Sequence, residues 1–236
     1  MSYRPFRAVI FDCDGVLVDS EVLSIRGERA ALDALGLPYA PEEYARRFIG
    51  LHDDAYFEAL RADFSRRRGA PPPDDLAERV LTARRAEMAG LTAIPGAEAA
   101  LRAAAAAAQI AVASSSRAHH LKGKLERTGL YALAAPHVYS ADLVARGKPA
   151  PDIFLFAAEK LGVAPRDAIV LEDSENGVKA GVAAGMTVWG FLGGGHMRAE
   201  DGPRLAAAGA ARLVGDFDEF IALLTAPPRD RQHHDP

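Results

Sequence analysis

From residue 20 to about residue 92 the chain offers no stretch that reads as a β-strand, while on both sides of that span short apolar runs of strand length recur. "RAVIF" precedes it. "IAVAS", "HVYS", "AIVLED", "TVWGF" and the short "RLV" follow it, with helical stretches between them. Alternation of this kind predicts a parallel sheet covered on both faces by helices. The strandless span carries four helical stretches, "SEVLSIRGERAALDALG", "PEEYARRFIG", "DDAYFEALRADFSRRR" and "DDLAERVLTARRAEMAG", punctuated by Gly36 and "GAPPP". The expected fold is α/β: a doubly wound parallel-sheet core (1–16 and 94–226) with an inserted all-helical domain (17–93). The tail 227–236, with His233 and His234, reads as mobile.

Bulk properties narrow the class. A net charge of -4 over 236 residues gives no basic surface for nucleic acid. No apolar run approaches the roughly 18 residues of a membrane span, and "MSYRPFRAVIF" lacks a signal-peptide apolar region. A cytoplasmic, monomeric protein with no nucleic-acid or membrane partner is expected. Cys13, the single cysteine, excludes an intrachain disulfide. It has no nearby arginine, and flanking carboxylates disfavour a thiolate, so it reads as a buried spacer rather than a nucleophile.

In doubly wound sheets, ligands bind beyond the carboxyl ends of the strands. The first strand ends in Asp12 and Asp14, "IAVAS" in Ser114, Ser115 and Ser116, and "AIVL" in Glu172 and Asp173; Lys148 follows "HVYS" in "ARGKPAPD". Lysine is scarce in this chain (122, 124, 148, 160 and 179) and arginine abundant, so a lysine kept at 148 suggests a compact point charge. Crowded carboxylates require a cation, and oxygen ligands suit Mg2+. A divalent ion and Lys148 together neutralise the acids and an incoming phosphate, for which the helix after the serines offers N–H donors. Two acids separated by one residue can divide the work of nucleophile and proton donor.

"DCDGVLVDSE", Ser114, "GKPAPDIF" and "LEDSENGVKAG", in this order and spacing, resemble the haloacid dehalogenase superfamily, in its phosphatase and phosphomutase branch with a helical cap. The resemblance runs from Phe6 to about Leu224. It implies Asp12 as the nucleophile that forms an aspartyl-phosphate, and Asp14 as general acid/base with its backbone carbonyl on Mg2+. It implies Ser114 on the transferring phosphoryl group and Lys148 between Asp12 and the phosphate. Asp12, Asp14 and Asp173 would hold the metal, with Glu172 as ligand or neighbour. The backbone of Cys13, Asp14, Ser115 and Ser116 would complete the phosphate cradle.

Several bland readings stand beside these. Ser116 fits an N-cap of the following helix. Asp19 and Glu21 fit helix-start acids or a hinge. Gly177, Gly181 and Gly185 fit close helix packing, "GGGH" (193–196) a flexible loop, and His119 and His120 no metal spacing.

Among reactions, halide departure needs no proton, so Asp14 argues against a dehalogenase. A Schiff-base phosphonatase needs a cap lysine, and residues 15–93 contain none. A non-enzymatic receiver domain, a remote alternative, places its phosphorylated Asp on a later strand and has no helical insert. The contest is between a hydrolase and a β-phosphoglucomutase-like sugar phosphomutase. In "RFIGLHDDAYF", Asp53 aligns with the arginine that clamps the second phosphate in such mutases, and Ser24 aligns with a histidine near their hinge. An acid repels a phosphate. The expected function is therefore a Mg2+-dependent phosphomonoester hydrolase, similar to bacterial sugar-phosphate phosphatases, acting on a small phosphorylated sugar or sugar acid. Gly50, Leu51, His52, Arg47 and Arg84 are the expected substrate contacts from the helical domain.

Overall fold

A computed structural model of the protein describes residues 6–49, 51 and 53–226. Gly50, His52 and the tail 227–236 lie outside the described residues. The strands are β1 (Ala8–Phe11), β2 (Gln109–Ser114), β3 (Val138–Ser140), β4 (Ala168–Glu172), β5 (Thr187–Phe191) and β6 (Arg212–Val214). They form one parallel sheet in the order β3-β2-β1-β4-β5-β6. This matches the α/β expectation, and the reason is visible in burial: all of β1 and β4 is buried, so their sequences are apolar apart from Glu172 at the carboxyl end of β4.

The helices are α1 (Ser20–Ala34), α2 (Pro41–Phe48), α3 (Asp53–Arg68), α4 (Leu76–Glu87), α5 (Ala97–Ala107) and α6 (Ala118–Arg127). After them come α7 (Tyr131–Ala134), α8 (Asp152–Leu161), α9 (Glu175–Ala183), α10 (Asp201–Ala208) and α11 (Phe217–Thr225). The sequence reading lacks α7, a single turn, and α10. "DGPRLAAA" hides α10 because Gly202 and Pro203 read as breakers, yet proline is tolerated in a first helical turn, where its missing N–H costs nothing.

The chain divides into two compact units, one of residues up to Asp19 with those from Thr92 on, the other Ser20–Leu91. Residues 17–19 and 92–93 lie in the α/β unit because Leu17 and Val18 are buried there and the Ile94 N–H donates to the Leu17 carbonyl.

The helical unit packs Tyr44, Phe48, Tyr56, Leu60, Leu76 and Val80 into its own core. α1 and α4 approach to backbone contact at Gly27, where a Cβ would stand 2.6 Å from the Ala83 carbonyl oxygen. Two of the described acids in this unit, Glu28 and Asp63, are buried. Glu28 pairs with Tyr44 and Arg84, and Asp63 pairs with Tyr39, Arg47 and Arg66. Hydrogen-bonded partners offset what burying these charges costs.

Candidate active site

The sheet order reverses between β1 and β4, where a doubly wound sheet opens its crevice. Phe11 stands level with Val112 and Leu171, so the next residue emerges at the height of Ala113 and Glu172, near the carboxyl ends of β2 and β4. Asp12 follows Phe11. Lys148 Nζ donates to Asp12 Oδ1 at 2.6 Å, to Glu172 Oε1 at 2.7 Å and to the Ala113 carbonyl at 3.1 Å. All three side chains are buried, with 5% of Lys148, 9% of Asp12 and 1% of Glu172 exposed. The other carboxylate oxygen of Glu172 accepts from the N–H and hydroxyl of Ser174, at 2.9 and 3.0 Å. Ser174 in turn caps α9, accepting from the Gly177 N–H at 3.0 Å.

The Asp14 carboxylate has partners on the segment after β2 and on α6. Ser116 Oγ donates to Asp14 Oδ2 at 2.7 Å, Lys124 Nζ pairs with Asp14 Oδ1, and Lys124 Nζ lies 3.0 Å from Ser116 Oγ. One expectation changes, and one residue is added. Ser116 is not the cap of α6; Arg117 occupies the cap position, and the Ala118 N–H donates to Asp142 at 2.7 Å. Lys124 was not singled out by the sequence reading, although the lysine scarcity that marks Lys148 marks it equally. Ser114 is 1% exposed, and its hydroxyl accepts from the Ser116 N–H at 3.0 Å, while Ser115 is exposed. Cys13 is fully buried; burial first, then Asp14 and Asp12, push its thiol well above the ordinary range, as a spacer role requires.

Two glycines make room for the acids, and a third packs beside them. Gly15 adopts a φ of 77°, and a Cβ there would fall 1.9 Å from Asp173 Oδ2. A Cβ at Gly177 would fall 1.7 Å from Glu172 Oε1. Gly194 abuts the Gly15 carbonyl at 2.6 Å and His196 Cε1 at 2.8 Å, measured from the same hypothetical Cβ, so "GGGH" is a packed loop rather than a free one. His196 Nε2 lies 3.1 Å from Asp173 Oδ2. The three glycines of "GVKAGVAAG" also separate: Gly181 packs on Val188 as expected, whereas Gly177 seats Glu172 and Gly185, just past the end of α9, turns the chain with a φ of 75°.

One ammonium faces several acids. Burial is the largest influence on Asp12 and raises its pKa well above the usual carboxylate range; Lys148 opposes this, while Glu172, Asp173 and Asp14 reinforce it. For Lys148 burial works downward, but Asp12 and Glu172 overcome it and hold the ammonium above its ordinary pKa. Asp12, Glu172 and Asp173 each bring an oxygen within 4.8 Å of the others. An all-oxygen set of this size, with charge that one lysine does not balance, fits a hard divalent cation such as Mg2+.

In the helical unit, Arg47 donates to Asp63 at 2.6 Å and Arg84 pairs with Glu28, 5.0 Å over the Tyr56 ring. Both guanidinium groups serve acids buried inside that unit. Leu51 is 42% exposed, and Gly50 and His52 lie outside the described residues.

A family model described as haloacid dehalogenase-like hydrolase matches residues 6–185. The chain belongs to that family. This hydrolase is 33% identical over 213 residues to the phosphorylated carbohydrates phosphatase of Thermotoga maritima, covering 88% of this chain and 93% of that one. It is 32% identical to the β-phosphoglucomutase of Mycobacterium bovis, covering 91% of each. Among solved structures it resembles a HAD family hydrolase from Deinococcus radiodurans R1, determined with bound phosphate and sodium. There the TM-score is 0.84, the identity 39%, and the coverage 94% of this chain and 96% of the other.

Proposed function

We propose that this hydrolase removes phosphate from a small phosphorylated carbohydrate, with Asp12 as nucleophile. The observation that carries the reading is Lys148 bridging Asp12 and Glu172 beside Asp173, with Asp14 held separately two residues on. Phosphate bound in the Deinococcus relative and the carbohydrate phosphates named for the Thermotoga relative support the substrate class.

In this reading Asp12, Asp173 and the Asp14 carbonyl would hold Mg2+, whose charge would offset that of the phosphate and lower the electrostatic cost of attack. Glu172 has Lys148 on one oxygen and Ser174 on the other, which supports a part in orienting Lys148 beside any share in holding the ion. Lys148 and the hydroxyl of Ser114 hold oxygens of the transferring group, with the N–H groups of Cys13, Asp14, Ser115 and Ser116 around it. Asp12 attacks phosphorus, the P–O bond of the ester breaks, and Asp14, which takes up a proton from water before this step, gives it to the leaving alkoxide. Asp14 then takes a proton from the water that attacks the phosphorus of the aspartyl-phosphate, and inorganic phosphate and Asp12 are released. Substrate choice falls to the helical insert, the cap of the family resemblance. Arg47 and Arg84 contribute to its fold, since recruiting either would strip Asp63 or Glu28 of a partner.

A release assay for inorganic phosphate with Mg2+, across sugar phosphates, sugar-acid phosphates and phosphoglycolate, tests the reading; turnover of a carbohydrate phosphate is expected. The Mycobacterium relative favours a second reading, a sugar phosphomutase. β-Glucose 1-phosphate with catalytic 1,6-bisphosphate separates the two: a phosphatase yields inorganic phosphate, a mutase glucose 6-phosphate. Asp53, an acid at the position aligned with the mutase arginine, favours the phosphatase.

A further inference from the structure

The loop after β5 has no part in the chemistry above, yet it ends on an acid of the site. His196 Nε2 is 3.1 Å from Asp173 Oδ2, and both side chains are largely buried, 11% and 7% exposed. A carboxylate only accepts hydrogen bonds, so the ring nitrogen facing it carries the hydrogen. The ring is held between two glycines: a Cβ on Gly15 would stand 2.7 Å from His196 Cε1, and one on Gly194 would stand 2.8 Å from Cε1 and 2.9 Å from Nδ1. The loop is tied at three points. The Leu192 N–H donates to the Val214 carbonyl at 2.8 Å, the Met197 N–H to the Gly194 carbonyl at 3.0 Å, and the Gly195 N–H to Asp19 Oδ1 at 3.3 Å. "GGGH" is thus built to place an imidazole edge against one particular carboxylate.

We propose that His196 is a positioning residue for the cation site: it fixes the direction of the Asp173 carboxylate, so that binding Mg2+ costs little further ordering of that ligand. The inference rests on the reading that Asp12 and Asp173 hold Mg2+. Groups that orient a metal ligand through a hydrogen bond change metal affinity by roughly 10- to 100-fold when removed. Gly15 and Gly194 belong to the same device, since a side chain at either would displace the ring. Asp19, the last residue before α1, anchors the loop from the other side.

The test is calorimetric titration of MgCl2 into full-length protein stripped with chelator, with the melting temperature of the metal-free protein measured beside it. The variants are His196→Asn, His196→Ser, His196→Gln and Asp173→Asn. Asn and Ser are too short to reach Asp173, and either suffices if the other does not fold; Gln places an amide N–H near the position of Nε2. Expected is a Mg2+ Kd weaker by about tenfold or more for the short variants, with most of the loss recovered in His196→Gln. A merely structural role for His196 would lower the metal-free melting temperature and leave the Kd in place. If Asp173→Asn weakens Mg2+ binding while the short His196 variants bind as wild type does, the role of His196 is overturned and the cation site stands. If Asp173→Asn binds Mg2+ as wild type does, the cation site itself is overturned and the inference with it.

Discussion

Lys124, two turns into α6, sets its ammonium against the carboxylate of Asp14, 110 residues earlier in the chain. Ser116 joins both groups, so the acid assigned to proton transfer is held from two sides. A general acid contributes only when it is placed within hydrogen-bond reach of the departing oxygen. Lys124→Ala is therefore expected to lower kcat by about tenfold, short of the ~100-fold or greater loss expected for Asp14→Ala, with KM little changed. Steady-state kinetics on the best substrate of the phosphate-release assay checks this. Equal kcat in Lys124→Ala and wild type would show that Asp14 needs no such support.

Lys148 supports the stability of the metal-free fold as well as the proposed chemistry. Replacing it with Met leaves Asp12 and Glu172 buried side by side without their ammonium. Removing one partner of a buried ion pair costs about 3–5 kcal/mol. Urea denaturation in chelator is expected to show a loss of that order. A loss below about 1 kcal/mol would mean that the acids find water or protons cheaply.

Two helical glycines are predicted to behave oppositely. Gly123 in α6 has nothing within 4 Å of a hypothetical Cβ, so Gly123→Ala is expected to stabilise by about 0.5–1 kcal/mol through helix propensity. A Cβ at Gly177 in α9 would fall 1.7 Å from Glu172 Oε1, so Gly177→Ala is expected to destabilise despite the same propensity gain. Chemical denaturation of both variants reads the sign directly. Stabilisation at both positions would show that the Glu172 carboxylate moves aside without cost.

The helical unit is expected to weaken at alkaline pH. Burial, the largest influence in each case, raises the phenol pKa values of Tyr39, Tyr44 and Tyr56 above their ordinary value; the neighbouring acids Asp63 (for Tyr39) and Glu28 (for Tyr44 and Tyr56) add to the rise. Above pH of about 10 the unfolded chain releases these protons while the folded chain keeps them. The native state then binds more protons than the unfolded state, so stability falls as pH rises. Thermal melts from neutral pH to beyond pH ~10 should show a first, smaller decline from about pH 8.5, where unfolded Cys13 ionises, and a steeper one above pH ~10; the absence of the steeper decline contradicts the burial of these phenols.

Much of this was legible in the chain. A buried parallel strand must be apolar on both faces, so the strands show as runs and the residue after each run faces the crevice. Asp12, Ser114, Glu172 and Asp173 are found by that rule alone. Lys124 and His196 escape it for different reasons. Lys124 reaches Asp14 through the rotation of α6 and a long flexible stem, and spacing from a strand end does not encode rotation. His196 depends on the path of a glycine loop, and glycine permits many paths. Ser116 resembles a helix cap in sequence because capping and carboxylate binding use the same hydroxyl. Arg47 and Arg84 resemble surface charges because nothing local announces that Asp63 and Glu28 are buried beneath them.

The central claim is that Asp12 attacks phosphorus. Asp12→Asn keeps the shape of the side chain and the Lys148 contact while removing the nucleophilic carboxylate. Turnover of p-nitrophenyl phosphate with Mg2+ present should fall by ~1,000-fold or more in this variant, with the cooperative melt retained. Turnover at the wild-type rate in a folded Asp12→Asn protein would contradict the account.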